Sequence, residues 1–344
     1  MSDLHIRAEG RAGRITLTRP QALNALTHAM VRDIDATLAA WEGDDSVAFV
    51  LVDAEGPRAF CAGGDIAEVY ASGRRGDFAS GARFWADEYR MNARMARYPK
   101  PCVTLMQGFV MGGGVGISGH GSHRVVGATT RVAMPECAIG LVPDVGASAI
   151  LAAAPGRLGE YLGLTGHRMG PGDAIRAGFA DSFVPEDRWP ELTAALLDSG
   201  DPDAAVAAFA DPAPAAALAA EAERIDDAFE AADLAAIAAR LEATDWGHGV
   251  LGALRRLCPL SMACTLALVR AARRDPGIEK ALTREYRFTA RACSDGEFLE
   301  GVRAAVIDKD RNPRWRDDMD SLRPEEVAAM LAPLEAELVL PAGT

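Results

Sequence analysis

The sequence predicts an α/β fold with a helical C-terminal region. Three observations carry this. A strand, a helix and a buried strand succeed one another between Ile15 and Asp53, and helix then strand return between Phe78 and Met106. From Pro185 onward the composition shifts to Ala, Leu, Glu and Asp with helical periodicity.

In chain order, Ile15-Thr16-Leu17-Thr18 alternates at period two and runs into Arg19-Pro20, a strand ended by a breaker. Thr27 reads as an N-cap, after which Met30, Val31, Ile34, Leu38 and Trp41 share one helical face until Gly43. Val47 to Asp53 is nearly all apolar and β-branched, which suits a strand covered on both faces. Phe78 to Tyr98 reads as a long helix stopped by Pro99, and Val103 to Met106 as another buried strand. Arg124 to Val126 and Arg131 to Ala133 are two shorter strand candidates. Ala204 to Ala243 is helical and nearly low in complexity. A capping box, Ser294-x-x-Glu297, introduces a helix running to Ile307, and Pro324 starts the last one. The domain boundary falls near Val184, dividing an α/β core (1–184) from a helical region (185–344).

A length of 344 residues fits one large domain with an appended segment, or two domains. A formal charge of -13 and a pI near 5.0 argue against a phosphate polymer as the main partner, so no nucleic acid is expected. Met1 to His5 shows no targeting pattern, which leads us to expect a cytoplasmic protein. The longest apolar stretch, Cys102 to Ser118, is too short and glycine-broken for a membrane helix. The six cysteines lack C-x-x-C or zinc-type spacing, so buried reduced thiols and no metal are expected.

Two glycine-rich loops follow the buried strands, Cys61-Ala62-Gly63-Gly64-Asp65 and Met111-Gly112-Gly113-Gly114-Val115-Gly116. Each precedes a segment that can be helical, and so offers backbone N–H groups able to hold an oxyanion. Gly114, Gly116 and Gly119 also spell G-x-G-x-x-G, with Glu136 seventeen residues beyond. Seven residues separate this motif from the strand ending at Met106, whereas a dinucleotide fingerprint turns directly off its strand. Glycines for close packing are the stronger reading.

Glu136 and Asp144 each follow a proline in an otherwise apolar run, Met134 to Gly146, where desolvation would raise their pKa toward useful acid-base values. Either acid alone could serve as a turn or cap. Glu88 shares the apolar stripe Phe84, Glu88, Met91, Met95, and such an acid is either paired to a buried cation or lines a pocket.

Three runs in order, Arg58 to Ile66, Gly108 to Gly116 and Met134 to Gly146, resemble the crotonase (enoyl-CoA hydratase/isomerase) superfamily, in particular its 3-hydroxyisobutyryl-CoA hydrolases. Arg303 to Asp310 followed by Pro313-Arg314-Trp315 resembles their C-terminal region. The resemblance implies a crotonase-like spiral of repeated ββα units and a pocket for an acyl-CoA thioester. It implies that the carbonyl oxygen is held by the N–H groups of Gly64 and Gly113, with Glu136 and Asp144 as catalytic acids and Glu88 contacting substrate. CoA is then part of the substrate and no separate cofactor is needed; a homo-oligomer is left open. Hydratases of the superfamily carry a second Glu where this chain has Gly116, which disfavours hydration. Ala147-Ser148 stand where close relatives of the resembled hydrolases continue with glycines, which bears on acyl-pocket shape.

The expected activity is hydrolysis of 3-hydroxyisobutyryl-CoA, or a similar short 3-hydroxyacyl-CoA, in valine breakdown. The alternatives are an enoyl-CoA isomerase using Glu136 alone, or an acyl-CoA-binding protein without catalysis.

Overall fold

The computed structural model describes residues 3–341. Strand β1 (Leu4–Glu9), which sequence periodicity did not reveal, pairs antiparallel with β2 (Ala12–Leu17). Helix α1 (His28–Glu42) starts at Thr27, whose hydroxyl accepts the Met30 N–H at 3.2 Å, and buries Met30, Val31, Ile34 and Leu38.

Three strand pairs then repeat one plan. They are β3 (Phe49–Ala54) with β4 (Ala59–Cys61), β5 (Cys102–Met106) with β6 (Phe109–Met111), and β7 (His123–Val126) with β8 (Arg131–Ala133). The first strand of each pair joins a six-stranded sheet ordered β1-β2-β3-β5-β7-β9, where β9 is Ser182–Phe183. The second strand of each joins a three-stranded parallel sheet, β4-β6-β8. Each pair leads into helix: α2 (Ile66–Gly73) and α3 (Phe78–Ala96), then the single turn α4 (Gly113–Gly116), then a 3-10 turn (Glu136–Ile139) and α5 (Ala147–Ala153). Repetition with a constant sheet order winds the chain into the ββα spiral of the crotonase fold. Of the short second strands, β8 lies where it was expected, at Arg131 to Ala133, whereas β4 and β6, three residues each, had no signal of their own. Both glycine loops leave this second sheet, so β6 fills part of the gap between Met106 and Gly114.

The middle of the large sheet is covered on both faces, which is why β3 and β5 are nearly all apolar. Phe49 and Leu51 of β3, with Val103 and Leu105 of β5, face Leu192, Leu196 and Val206 of the outer helices. Val50 and Val52 point the other way into the main core. Each such fully buried Val, Leu or Phe side chain contributes about 1.5–3 kcal/mol.

Beyond Phe183 the described elements are helical. The helix Pro259–Arg274 packs on α5 and on α6 (Leu158–Thr165), and Ile278–Thr289 packs on α3 and α5. A single apolar cluster takes residues from both sides of position 184, from Leu4 to Leu338.

The capping box at Ser294 does not form. The Ser294 hydroxyl bonds Arg291 O and Asp295, while the Glu297 carboxylate accepts the Arg316 N–H. The helix is Phe298–Val302, followed by a π-turn over Arg303–Ile307. Backbone meets backbone here: a Cβ on Gly140 would lie 2.5 Å from Glu297 O, and one on Gly301 2.2 Å from Ile139 C. The C-terminal segment therefore rests directly on the turn that carries Glu136. All six cysteines are buried and free, and among the described residues no single helix is long and apolar enough to cross a membrane.

Candidate active site

The two glycine loops converge. Leu26 bridges to Gly64 in parallel fashion, its N–H donating to Gly63 O and its carbonyl accepting the Asp65 N–H. That pattern leaves the N–H of Gly64 itself turned away from Leu26. Gly113 opens the turn α4, before any acceptor within the turn can reach its N–H. A Cβ on Gly113 would lie 3.4 Å from Gly64 N, so the two amides border one space. The turn depends on Gly112 at φ 49, ψ -120, a conformation closed to residues with a side chain.

Three polar side chains border the same loop. The Cβ position of Gly113 falls 2.6 Å from Glu88 Oε1, that of Gly112 falls 2.9 Å from Glu136 Oε1, and that of Gly116 falls 2.8 Å from Asn92 Nδ2. Asp144 accepts the Tyr89 hydroxyl at 2.7 Å. Glu88, Glu136 and Asp144 are 2%, 5% and 4% exposed, so the site is nearly dry. Glu88 Oε1 and Glu136 Oε2 are buried with no protein partner. The apolar stripe of α3 thus turns Glu88 toward the Gly113 turn, and among the described residues no cation pairs with it.

Burial governs the electrostatics. It pushes Glu88 and Glu136 well above the ordinary carboxylate range, and the nearby Asp144 charge pushes both further. Burial raises Asp144 to about 7, against the opposing hydrogen bond from Tyr89. Asp144 therefore exchanges its proton near neutral pH, and Glu88 and Glu136 hold theirs to higher pH than an ordinary carboxyl, a shift in the direction acid-base catalysis uses.

The turn bearing Asp144 is strained and held from outside. Val145, β-branched, sits at φ 54, and Gly146 follows at φ 82. The His120 ring donates from Nε2 to Val145 O at 2.7 Å, and burial, which lowers its pKa to about 4, keeps that ring neutral. Glu285 accepts the N–H groups of Gly146 at 2.7 Å and Ser148 at 3.0 Å, together with the Ser148 hydroxyl. Tyr89, Asn92, His120 and Glu285 were not singled out from sequence. Asn92 carried a signal, since it lies four residues past Glu88 on the same helix face; Glu285 had none, because its partners are more than a hundred residues away.

The glycines of the G-x-G-x-x-G motif are packing residues. A Cβ on Gly114 would lie 2.2 Å from Cys61 O and one on Gly119 2.9 Å from Val115 O. Among the described residues no group of three or more His, Cys, Asp or Glu is placed to hold a metal.

Comparison with known proteins agrees with this architecture. The enoyl-CoA hydratase/isomerase family model matches residues 12–331. The chain is 38% identical over 323 residues to the mitochondrial 3-hydroxyisobutyryl-CoA hydrolase of Xenopus tropicalis, covering 90% of this chain and 83% of the relative. It is 38% identical over 317 residues to 3-hydroxyisobutyryl-CoA hydrolase 1 of Arabidopsis thaliana, covering 88% and 83%. Among solved structures, an enoyl-CoA hydratase from Rhodobacter sphaeroides 2.4.1 superposes with a TM-score of 0.94 at 57% identity, covering 98% of this chain and 100% of that one. A carnitinyl-CoA dehydratase from Mycobacterium thermoresistibile gives 0.94 at 42% identity, covering 98% and 99%. With the ββα spiral and a family match over most of its length, the chain belongs to the enoyl-CoA hydratase/isomerase family.

Proposed function

We propose that this protein is a thioester hydrolase that cleaves 3-hydroxyisobutyryl-CoA, or a similar short 3-hydroxyacyl-CoA, to the free hydroxy acid and CoA, a step of valine breakdown. Relatives named 3-hydroxyisobutyryl-CoA hydrolase match about nine-tenths of the chain and support it.

The observation that carries the reading is the position of the second carboxylate. Hydratases of the family pair two glutamates, the second at the place of Gly116. Here that space is taken up by Asn92 and Val145, and the second acid is Asp144, after the turn that carries Glu136. One carboxylate at the 136 position cannot hydrate by the two-glutamate route, yet it suffices to deliver water, or itself, to a thioester carbonyl.

In this mechanism the carbonyl oxygen accepts the N–H groups of Gly64 and Gly113. Attack builds negative charge on that oxygen, and each preorganised amide in a dry site contributes about 3 kcal/mol to transition-state stabilisation. Glu136 takes a proton from water as the water attacks the carbonyl carbon, or attacks that carbon itself; Asp144 binds the 3-hydroxyl or orders the water, and Glu88 contacts the acyl group. The C–S bond breaks and the CoA thiolate leaves and is protonated; on the second route water then hydrolyses the Glu136 anhydride, which frees the hydroxy acid and restores the carboxylate. CoA enters as part of the substrate, and the proposal invokes no separate cofactor.

The 57% identity to a protein described as an enoyl-CoA hydratase favours a second reading, chemistry at the enoyl double bond. A thiol-release assay over a panel of short acyl-CoAs separates the two. CoA release from 3-hydroxyisobutyryl-CoA is expected; release from no 3-hydroxyacyl thioester, with hydration or isomerisation of an enoyl thioester instead, overturns the hydrolase.

A further inference from the structure

Asn92 is fully buried on α3, and neither its amide nitrogen nor its amide oxygen has a protein partner. Leaving one such group unsatisfied costs about 1–3 kcal/mol, and both ends of a single side chain are open here. The other buried polar atoms without protein partners outside the site, such as Thr104 Oγ1 and Ser261 Oγ, are scattered singly through the molecule. Those near Asn92 are Glu88 Oε1 and Glu136 Oε2, so the orphaned polar atoms concentrate around one small turn.

The geometry explains why the amide faces that space. Turn α4 lies against α3, and its glycines match the polar residues of the helix one for one. The Cβ position of Gly113 meets Glu88, and that of Gly116, one turn on, meets Asn92, one helical turn beyond Glu88. The Gly116 position is also 3.0 Å from Val145 Cβ, which places the Asn92 amide next to the residue following Asp144. A glycine at 116 is therefore what lets the amide occupy this place.

We propose that Asn92 is a substrate-contacting residue that determines specificity, its carboxamide recognising the 3-hydroxyl of the acyl chain. The inference rests on the hydrolase reading above. An alcohol needs one donor and one acceptor. Asp144, the residue before the Val145 that borders Asn92, accepts from the hydroxyl, and the Asn92 Nδ2 donates to it, which satisfies a buried donor that a plain acyl chain leaves open. A site whose buried polar groups are completed only by the hydroxylated chain discriminates strongly against the chain lacking it.

The test measures kcat/KM of wild type, Asn92→Leu and Asn92→Ser for 3-hydroxyisobutyryl-CoA and for isobutyryl-CoA. Leu keeps the volume and removes both polar ends. The ratio of the two kcat/KM values is expected to fall about ten- to a hundredfold in Asn92→Leu, and less in Asn92→Ser, which keeps a short donor and acceptor. If Asn92→Leu does not fold, a fall of at least threefold in Asn92→Ser is the expected result. A ratio unchanged in the folded variants, or equal loss on both thioesters, overturns the role of Asn92 while leaving the hydrolase intact. A wild type that releases CoA from neither thioester overturns the hydrolase and, with it, this assignment.

Discussion

Glu285 and Gly146 stand 139 residues apart in the chain and meet at 2.7 Å, the carboxylate accepting the glycine N–H directly after the strained Val145. The left-handed conformation of a β-branched residue costs about 1–3 kcal/mol and persists only where its surroundings impose it. Here the surroundings are Glu285 on one side and His120 on the other. Replacing Glu285 by Gln turns an amide donor toward backbone N–H donors. Glu285→Gln is expected to lose about 1–3 kcal/mol of stability and about tenfold or more in kcat, because Asp144 is then free to shift. Melting and turnover measured on one preparation check both; a lowered melting point with unchanged kcat would show that Asp144 keeps its place without Glu285.

Glu136→Gln keeps shape and removes the base or nucleophile. kcat on 3-hydroxyisobutyryl-CoA is expected to fall at least about a hundredfold, with only a modest change in KM. A large rise in KM at constant kcat would make Glu136 a binding residue.

The acids also set the pH profile. Glu136 is raised first by burial and then by the Asp144 charge, so the acid limb of kcat/KM should lie above the ordinary carboxylate range. Asp144→Asn removes that charge, which lowers the Glu136 pKa. The acid limb of the residual activity is expected to move to lower pH, and a limb that stays in place would show that the two carboxyls do not sense each other. The same variant should lose preference for 3-hydroxylated chains.

Asp144 has a consequence for stability as well. Its pKa is raised to about 7 in the folded protein from an ordinary 3.8, so between those values the folded state holds a proton that the unfolded chain releases. Stability therefore declines as pH rises through this window, by at most about 1.4 kcal/mol for each pH unit, and is fullest below it. Asp144→Asn escapes the penalty. Its melting temperature relative to wild type is expected to be more favourable at pH 8 than at pH 4, and the opposite order would contradict the raised value.

The two glycines proposed to hold the oxyanion should differ in tolerance. A side chain at Gly113 meets Glu88 Oε1 at 2.6 Å and intrudes beside Gly64 N, whereas one at Gly64 meets the ring edge of Phe84 at 3.1 Å and the end of Ile66 at 4.0 Å. Gly113→Val is expected to abolish turnover in a protein that still melts cooperatively, and Gly64→Ala to retain appreciable activity. Wild-type turnover by folded Gly113→Val would remove Gly113 from the oxyanion site.

What the sequence disclosed followed from local signals. The Thr27 cap, the apolar face of α1 and the buried runs of β3 and β5 each depend on neighbours a few residues away, and each forms, with β3 at Phe49–Ala54 instead of Val47 to Asp53 and β5 starting one residue early at Cys102. The strands β4 and β6 are too short to show a period, and the Ser294 pattern misled because its Glu297 is engaged by Arg316. At the site, the stripe on α3 left Glu88 open between an ion pair and a pocket, and only the three-dimensional meeting of α3 with α4 decides it. Glu285 was beyond reach, since a carboxylate that clamps a distant loop looks like any other acid on a helix.

The backbone contact of Gly301 with Ile139 bears on how this protein comes into being during synthesis. Glu88, Glu136, Asp144 and both loop glycines have been translated by the time residue 144 is added, whereas Glu285 and the Glu297 to Gly301 stretch that packs on the turn bearing Glu136 come more than a hundred residues later. A nascent chain thus holds these groups for roughly half of its elongation before the last supports of their two turns exist. A product truncated before Gly301 would carry the three acids with one face of the Glu136 turn uncovered.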